Sequence, residues 1–592
     1  MFLRCNRRVK DGKVHDYWNV VENRRLSDGR IVQRQVLYLG EINSSQREAW
    51  RKTIEVHGEG TPRQVALFPA GSMPADDVDA IGVRLSELRV ERSRQWGACW
   101  LAMQLWQELD LEGFWRSRLA PSREGTPWLK VLQTLVAYRL IDPGSEWRLH
   151  RRWFDESAMA DLLDADFELA EKNTLYRCLD RLVEHKDELF KFLTRRWGEL
   201  FGAKFDVLLY DLTSTYFETD TERSPEDLRQ YGYSRDKRGD CRQVVIALIV
   251  TPEGFPLSYE VLAGDTADST TLSDFLDRIE QRYGRANRIW VMDRGIPTEA
   301  VLAQMRAAQP PVRYLVGTPR GRLSQYEKRL TEVPWQVARE GVSVKLLADG
   351  QELYVLAESK DRVNKERAMR RRQLKGLWQR LHALRKMKLK RDALLQKLGA
   401  ALHEYPVGAR LIQTGVAAGT AELAFTLRQD KLRQARRREG RYLLRSNITT
   451  GKSAGELWQF YIQLTEVEAA FKNLKDDLAL RPIYHQLEHR IEAHIFISFL
   501  AYCLHVTLRR RLRELAPGLT ARAVLEKFGT VQMLDVHLPT TDKRTVILSR
   551  YTQPGTDVQL LIQRMKLELP AQPPPKITGS MSPSQTDSVV KT

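Results

Sequence analysis

KFDVLLYDLTSTYFE, residues 204–218, marks the point where the chain's periodicity changes from helical to extended. The run is rich in β-branched, aromatic and aliphatic residues, as a buried strand requires, and Asp211 directly follows its apolar VLLY. Downstream, RQVVIALIV (242–250) and FPLSYEVLAG (255–264), separated by a PEG turn, complete a meander of three strands. DSTTLSDFLDRIEQRY (268–283) then reads as a helix capped by Asp268 or Ser269. NRIWVMDRG (287–295) is a short strand that ends at Asp293, IPTEAVLAQMRAA is a helix and VRYLVGT (312–318) is a strand. The order is βββαβαβ. Upstream, 92–203 has helical periodicity throughout, as in WGACWLAMQLWQELDL and WLKVLQTLVAYRLI. Residues 1–45 read as a small β-hairpin or meander, and 46–91, with its Pro, Gly and Ala, as a linker.

The second half divides similarly. Residues 318–455 interrupt the α/β pattern with strand-like runs near 343–357 and a long basic helix over about 359–402. Leu374, Leu377, Leu381 and Leu384 on that helix suit a coiled-coil hairpin or a partner-helix seam. Residues 456–480 form a helix, Pro482 follows it, and 489–515 form a second, apolar helix within a segment that runs to 560. The tail from about 570, PAQPPPK and onward, has the composition of a disordered segment.

At 42% hydrophobic and 29% charged residues, the 592-residue chain is neither disordered, collagen-like nor a disulfide mini-protein. Its net charge of +18 is concentrated in two places: Lys360–Lys397 carries a net +12 and Arg428–Arg445 a net +6, leaving the remainder neutral on balance. Such a distribution points to a polyanion, nucleic acid first. The five cysteines contain no CxxC pair, and no Walker-type loop indicates ATP use. No apolar run has signal-peptide length, and IFISFLAYCLHV (495–506) is too short for a span of about 20 residues. The expectation is a soluble cytoplasmic protein with no membrane partner.

Three carboxylates stand where chemistry needs them. An acid at the end of an apolar strand is costly unless paired, solvated or metal-bound, and Asp211 and Asp293 both occupy such ends. In a βββαβαβ sheet of the ribonuclease-H type the first and fourth strands are neighbours, so the two acids meet, and a later helix can deliver Glu468. Three converging carboxylates form a hard-oxygen site for Mg²⁺, and two such ions about 3.5–4 Å apart serve phosphoryl transfer. Taken alone, each acid reads first as a helix cap or an ion-pair partner; it is their combination that points to chemistry. On a continuous helix Tyr461, Glu468, Lys472 and Lys475 fall within about 60° of arc, beside the buried stripe of Val467, Phe471, Leu474 and Leu478. Read blandly, Glu468 and Lys472 are an ordinary i,i+4 pair.

YIQLTEVEAAFKNLK (461–475) has the spacing of the Tyr-Arg-Glu-Lys motif of bacterial insertion-sequence transposases of the DDE class, and DLTSTYFE and VMDRGIPT resemble that family's two Asp regions. GRYLLRSNIT and LRPIYH…RIEAHIFISFLAYCL also resemble family text, so the likeness spans about 1–45 and 95–550. The resemblance implies an α/β protein. Its ribonuclease-H-like catalytic core is a mixed five-stranded sheet with helices, interrupted by an insertion domain and preceded by the β-hairpin and a helical, DNA-binding domain. It further implies that Asp211, Asp293 and Glu468 bind two Mg²⁺ ions, with Mn²⁺ as a substitute, and that Tyr461 and Lys475 contact DNA; Lys472 is added from the helix arithmetic. The implied partners are double-stranded DNA, as element terminal repeats and target, and a second copy of the chain on that DNA. The implied activity is metal-dependent cleavage and strand transfer. A catalytically inactive DNA-binding derivative and a nuclease of the same fold are the alternatives. The chain departs from the motif at Leu464, where Arg is expected, and Arg294 is a candidate replacement. Trp335 and Trp378 read as core or helix-interface residues ahead of base-stacking ones. Asp265 and Asp268 in GDTADS read as a turn residue and a cap, and His485, His489 and His494 as helix-surface or capping residues ahead of metal ligands.

Overall fold

The computed structural model describes residues 1–10, 13–25, 31–58, 82–123, 125–218, 227–234, 236, 238–266, 272–283, 288–417, 421–541 and 544–578. The proposed caps Asp268 and Ser269 lie outside these residues. The centre of the molecule is a nine-stranded mixed sheet. Its strands are β1 (Val207–Phe217), β2 (Arg242–Val250), β3 (Pro256–Ala263), β4 (Ile289–Met292), β5 (Arg313–Gly317), β6 (Gln336–Arg339), β7 (Val342–Asp349), β8 (Glu352–Ser359) and β9 (Arg441–Ser446). Across the sheet they run β6-β7-β8-β9-β5-β4-β1-β2-β3. β1 pairs antiparallel with β2 and parallel with β4, which in turn pairs parallel with β5.

Nine strands correct the expected five. β6 to β9 belong to the segment read as a separate insertion, yet β9 pairs with β5 and β8 with β9. The reason is the ladder itself. β5 is buried along most of its length, so its outer edge would leave backbone N–H and C=O groups unpaired inside the protein if β9 did not cover it. What projects from the sheet is the basic hairpin of α1 (Lys360–Lys386) and α2 (Arg391–Glu404). Leu377, Leu381 and Leu384 of α1 bury against Leu394 and Leu398 of α2, so the leucine seam closes within the chain.

Side-chain alternation divides the sheet's two faces. Leu208, Tyr210, Trp290 and Met292 face the helices Leu272–Tyr283 and Glu299–Ala307, through Phe275, Ile279 and Leu302. Leu209, Val291 and Leu315 face the opposite side, which is continuous with the main core. That core is built around one apolar helix of the 489–515 region, Glu488–Leu515, which packs against helices Gly97–Glu108 and Trp128–Ile141 of the upstream block. By length and composition this helix could cross a membrane, but 94% of its apolar window is buried inside the protein. The apolar run 495–506, read as too short for a membrane span, is a segment of this longer core helix.

The ends of the chain also differ from expectation. The three-stranded antiparallel sheet Phe2–Lys10, Lys13–Arg25 and Ile31–Gly40 is followed by a helix, Ser44–Gly58, within the stretch read as linker. Asn43 and Gln46 bond each other's backbone N–H across its first turn, and Trp50 is fully buried with its indole N–H on the Pro517 carbonyl. Residues 59–81, which hold the Pro- and Gly-rich part, lie outside the described residues. Part of the expected tail is ordered: Lys576–Thr578 adds a strand to the sheet of Arg89–Gln95, Gln532–Pro539 and Thr545–Tyr551. The Gln572 side chain pairs with the Tyr551 backbone and guides it there.

Arg94 locks this second sheet to the helical block. Its guanidinium, 1% exposed, bonds Asp535 (2.9 Å) and Asp161 (2.8 Å). Burial raises the Asp535 carboxyl's pKa, but the bonds from Arg94 and Ser549 outweigh it, leaving the pKa below the usual carboxylate range. Arg94→Ala should cost about 3–5 kcal/mol, because it strands a buried carboxylate, measured by denaturant unfolding. A depressed pKa means that the wild-type advantage is present above about pH 4 and fades as pH falls through the folded-state value. The gap between wild type and variant should narrow accordingly in melts below that pH.

Candidate active site

Register brings the two aspartates together. The last β1–β4 pair before them is Tyr210↔Met292, so Asp211 and Asp293 each come one residue later on neighbouring parallel strands, about 4.8 Å apart in the ladder direction. Both follow the alternation of Leu209 and Val291, so they lie toward the main-core face of the sheet. Asp211 is half-buried and Asp293 exposed.

The helix expected over 456–480 is broken into pieces: α3 (Ala454–Ile462), α4 (Leu464–Lys472) and a π-helical turn, Asn473–Asp477. Ser453 and Glu456 form a reciprocal cap at its start. α4 packs across β1 and β2, and α3 against β4 and β5, on the face toward which the two aspartates lie. Leu464 is buried, taking the place where an Arg would point at solvent. Glu468 and Lys472 are exposed, and neither joins an ion pair among the described residues.

Tyr461 makes the direct link: its phenol donates to Asp293 Oδ1 at 3.2 Å. Burial, then the Asp293 charge, push the phenol's pKa well above its usual value, so it stays protonated and keeps donating. Gly317, the last residue of β5, makes room for it; a Cβ there would stand 2.4 Å from the Tyr461 oxygen.

Lys475 departs from the expected stripe. The π turn inserts i→i+5 bonding and rotates the residues beyond Lys472 about the helix axis, and Lys475 pairs instead with Asp236 at 3.0 Å, joined by Arg481. Burial raises the Asp236 carboxyl's pKa, but Arg481 and Lys475 more than offset this and hold it low. Arg294 is exposed and lines a cavity of about 510 Å³ beside Asp293 and Tyr461, with Arg362 and Arg441 on its other walls. Sequence reading missed Arg362, hidden in a charge run, and Arg441, inside the quoted GRYLLRSN. Asp236 carried no signal at all. Arg362 stacks on Tyr442, 4.7 Å from the ring centre. Trp378 stands edge-on to Phe425 within the basic hairpin, while Trp335 is half-open between Lys345 and Arg441. His489 is exposed and bonds Asp180, but His485 and His494 are buried, against the surface role expected of them.

Register brings Asp211 and Asp293 together, but among the described residues Glu468 does not join them in a cluster of ligand atoms within 4.8 Å, as Glu146, His485 and His494 form; carboxylate oxygens as such are the donors that hard divalent cations take. Neither Asp293 nor Glu468 is neutralised by a Lys or Arg partner among the described residues. A family model described as Transposase DDE domain matches residues 204–504. No curated protein matches the chain. Among solved structures it is similar to the cryo-EM structure of piggyBac transposase in a synaptic complex with hairpin DNA, at 10% identity over 76% of this chain and 82% of that one, with a TM-score of 0.34.

Gly317→Ala should push the Tyr461 phenol off Asp293. A crystal structure of the variant is expected to show that oxygen about 3.6 Å or more from Asp293, where a side-chain hydrogen bond no longer holds, with β5 otherwise in place.

Proposed function

The chain belongs to the transposase DDE domain family, and on that premise we propose that it binds the ends of its own insertion sequence and catalyses their cleavage and strand transfer. The observation that carries the reading is the arrangement of Asp211 and Asp293 on adjacent parallel strands, with Tyr461 bonded to the second. The order β3-β2-β1-β4-β5 within the sheet supports a ribonuclease-H-like core.

Asp211, Asp293 and Glu468 would hold two divalent ions, Mg²⁺ with Mn²⁺ as substitute, which supply charge neutralisation at the scissile phosphate and lower the pKa of the attacking hydroxyl. Every other role falls to the chain. Tyr461 fixes the Asp293 carboxylate by donating one hydrogen bond to Oδ1, which leaves the carboxylate with further acceptor capacity. Arg294, Arg362 and Arg441 line the cavity beside that carboxylate and would grip the non-reacting phosphate oxygens, the work that Leu464 cannot do. Lys472, exposed at the end of α4, would add a further phosphate contact. Lys475 would reach DNA only by exchanging Asp236 for a phosphate. The α1–α2 hairpin and the upstream helical block would supply non-specific grip and end recognition, and two copies would hold the two ends.

The test is strand cleavage of DNA flanking the gene, with and without Mg²⁺. Wild type should nick at the repeat boundary only with metal, and Asp293→Ala should lose at least about 10²–10³-fold in rate. Salt-sensitive binding with no cleavage by either protein would overturn the enzymatic reading, and cleavage retained in Asp293→Ala would overturn the site. Arg362→Ala should weaken binding equally on all sequences and reduce the slope of log K against log salt by about 1, measured by fluorescence anisotropy.

A further inference from the structure

A second constellation lies outside the carboxylate site, where the helical block meets the segment that leaves the π turn. Glu146 opens a short helix after Gly144, His485 follows Pro482, and His494 sits in the first turns of the core helix Glu488–Leu515. All three are buried, and their ligand-type atoms lie within 4.8 Å of one another. His485 Nε2 is 3.3 Å and His494 Nδ1 3.7 Å from Glu146 Oε1. His485 is only 9% exposed, and its Nε2 stands beside the carboxylate without a well-aligned hydrogen bond. A cavity of about 510 Å³, with Arg481 and the exposed Tyr484 on its wall, opens onto the cluster.

We infer that Glu146, His485 and His494 form a second metal site, for a borderline divalent ion such as Zn²⁺. Two imidazoles and a carboxylate are a three-ligand set typical of zinc with an open fourth position. Bonds of about 2.0–2.2 Å in a tetrahedral set place ligands roughly 3.4 Å apart, and the observed 3.3 and 3.7 Å need little adjustment. His494 is available as a neutral ligand: burial lowers its pKa to about 4, and Arg139 Nη2, at 3.4 Å, faces its Nδ1 lone pair. Arg139 is the competitor. Its guanidinium stands 3.7 Å from Glu146 Oε1 and occupies a cation's position loosely, while its Nη1 is held by the Ala479 carbonyl. Ion binding would transfer Glu146 and His494 from Arg139 to the metal, and hydroxide or another monoanion at the fourth position, facing the cavity, would offset half of the added charge. The ligands come from three separate segments, so the ion would staple the helical block to the segment downstream of Glu468 and to the core helix. A site built this way is independent of the oxygen-only carboxylates, which prefer hard cations.

The experiment uses the full chain, stripped with chelator and titrated with Co²⁺, a coloured substitute for Zn²⁺. Expected is an intense visible absorption of low coordination number that saturates at one equivalent and is displaced by Zn²⁺. It should be retained in Asp293→Ala, weakened more than about 10-fold in His485→Ala, and tightened in Arg139→Gln. Zn²⁺ should also raise the melting temperature of wild type. Only the pale spectrum of six-coordinate, all-oxygen cobalt, or an unchanged affinity in His485→Ala, would overturn the site. If His485→Ala fails to fold, X-ray absorption of the zinc-loaded wild type decides: scattering from two imidazoles supports the site, and none refutes it.

Discussion

One pairing governs the molecule: β1 beside β4, parallel and in register up to Tyr210↔Met292. Parallel strands are stable when both faces are covered, and here each face has its own set of helices. Because side chains alternate, the same register that buries Tyr210 and Met292 on one face turns Asp211 and Asp293 toward the other. A slip of one residue in either strand would turn that strand's carboxylate in among aromatic rings. The apolar neighbours therefore hold the register that keeps the acids together, and α3 and α4 can reach them only from the face on which they emerge.

The extension of the sheet explains how distant residues reach that place. Arg362 and Arg441 belong to the segment between the two halves of the α/β pattern, but Arg441 lies on β9 and Arg362 in the first turn of α1, directly after β8, so both are fixed to the sheet whose strand β4 leads into Asp293. The segment thus delivers cations beside Asp293 as part of the sheet itself. Ion pairs reinforce the connection: Arg445 of β9 bonds the buried Glu352 of β8 and the exposed Glu299, which opens the helix after the Asp293 loop. In the proposed mechanism this compensates for Leu464, whose burial suits the packing of α4 and whose side chain offers nothing to a phosphate.

Much of this was legible in the residues. The strand order followed from runs such as VLLYDL and IWVMD, whose period and length leave few alternatives, and the positions of Asp211 and Asp293 followed from them. Pieces that depend on long-range partners were not legible. The strand at 441–446 reads as a strand, but its place between β5 and β8 is set by an unpaired edge more than a hundred residues upstream. The π turn at Asn473–Asp477 has no periodic signature, so Lys475 was placed on the wrong arc. His494 sits on a helix buried almost all round, where no polar face distinguishes a core histidine from an exposed one. Trp50 lay beside a Pro- and Gly-rich stretch that masked its helix.

The position of β9 also orders events during synthesis. β5 ends at Gly317, whereas its outer partner ends at Ser446. At 5–20 residues per second a ribosome needs roughly 6–26 s to make the intervening stretch. Throughout that interval β5 presents a bare edge, and β6 to β8 have already emerged with no strand to dock upon. The nascent chain must keep two incomplete half-sheets apart until a single six-residue strand, arriving last, closes both. A message cut short inside the basic hairpin would yield a product that never closes that seam, exposing an apolar edge suited to aggregation and clearance.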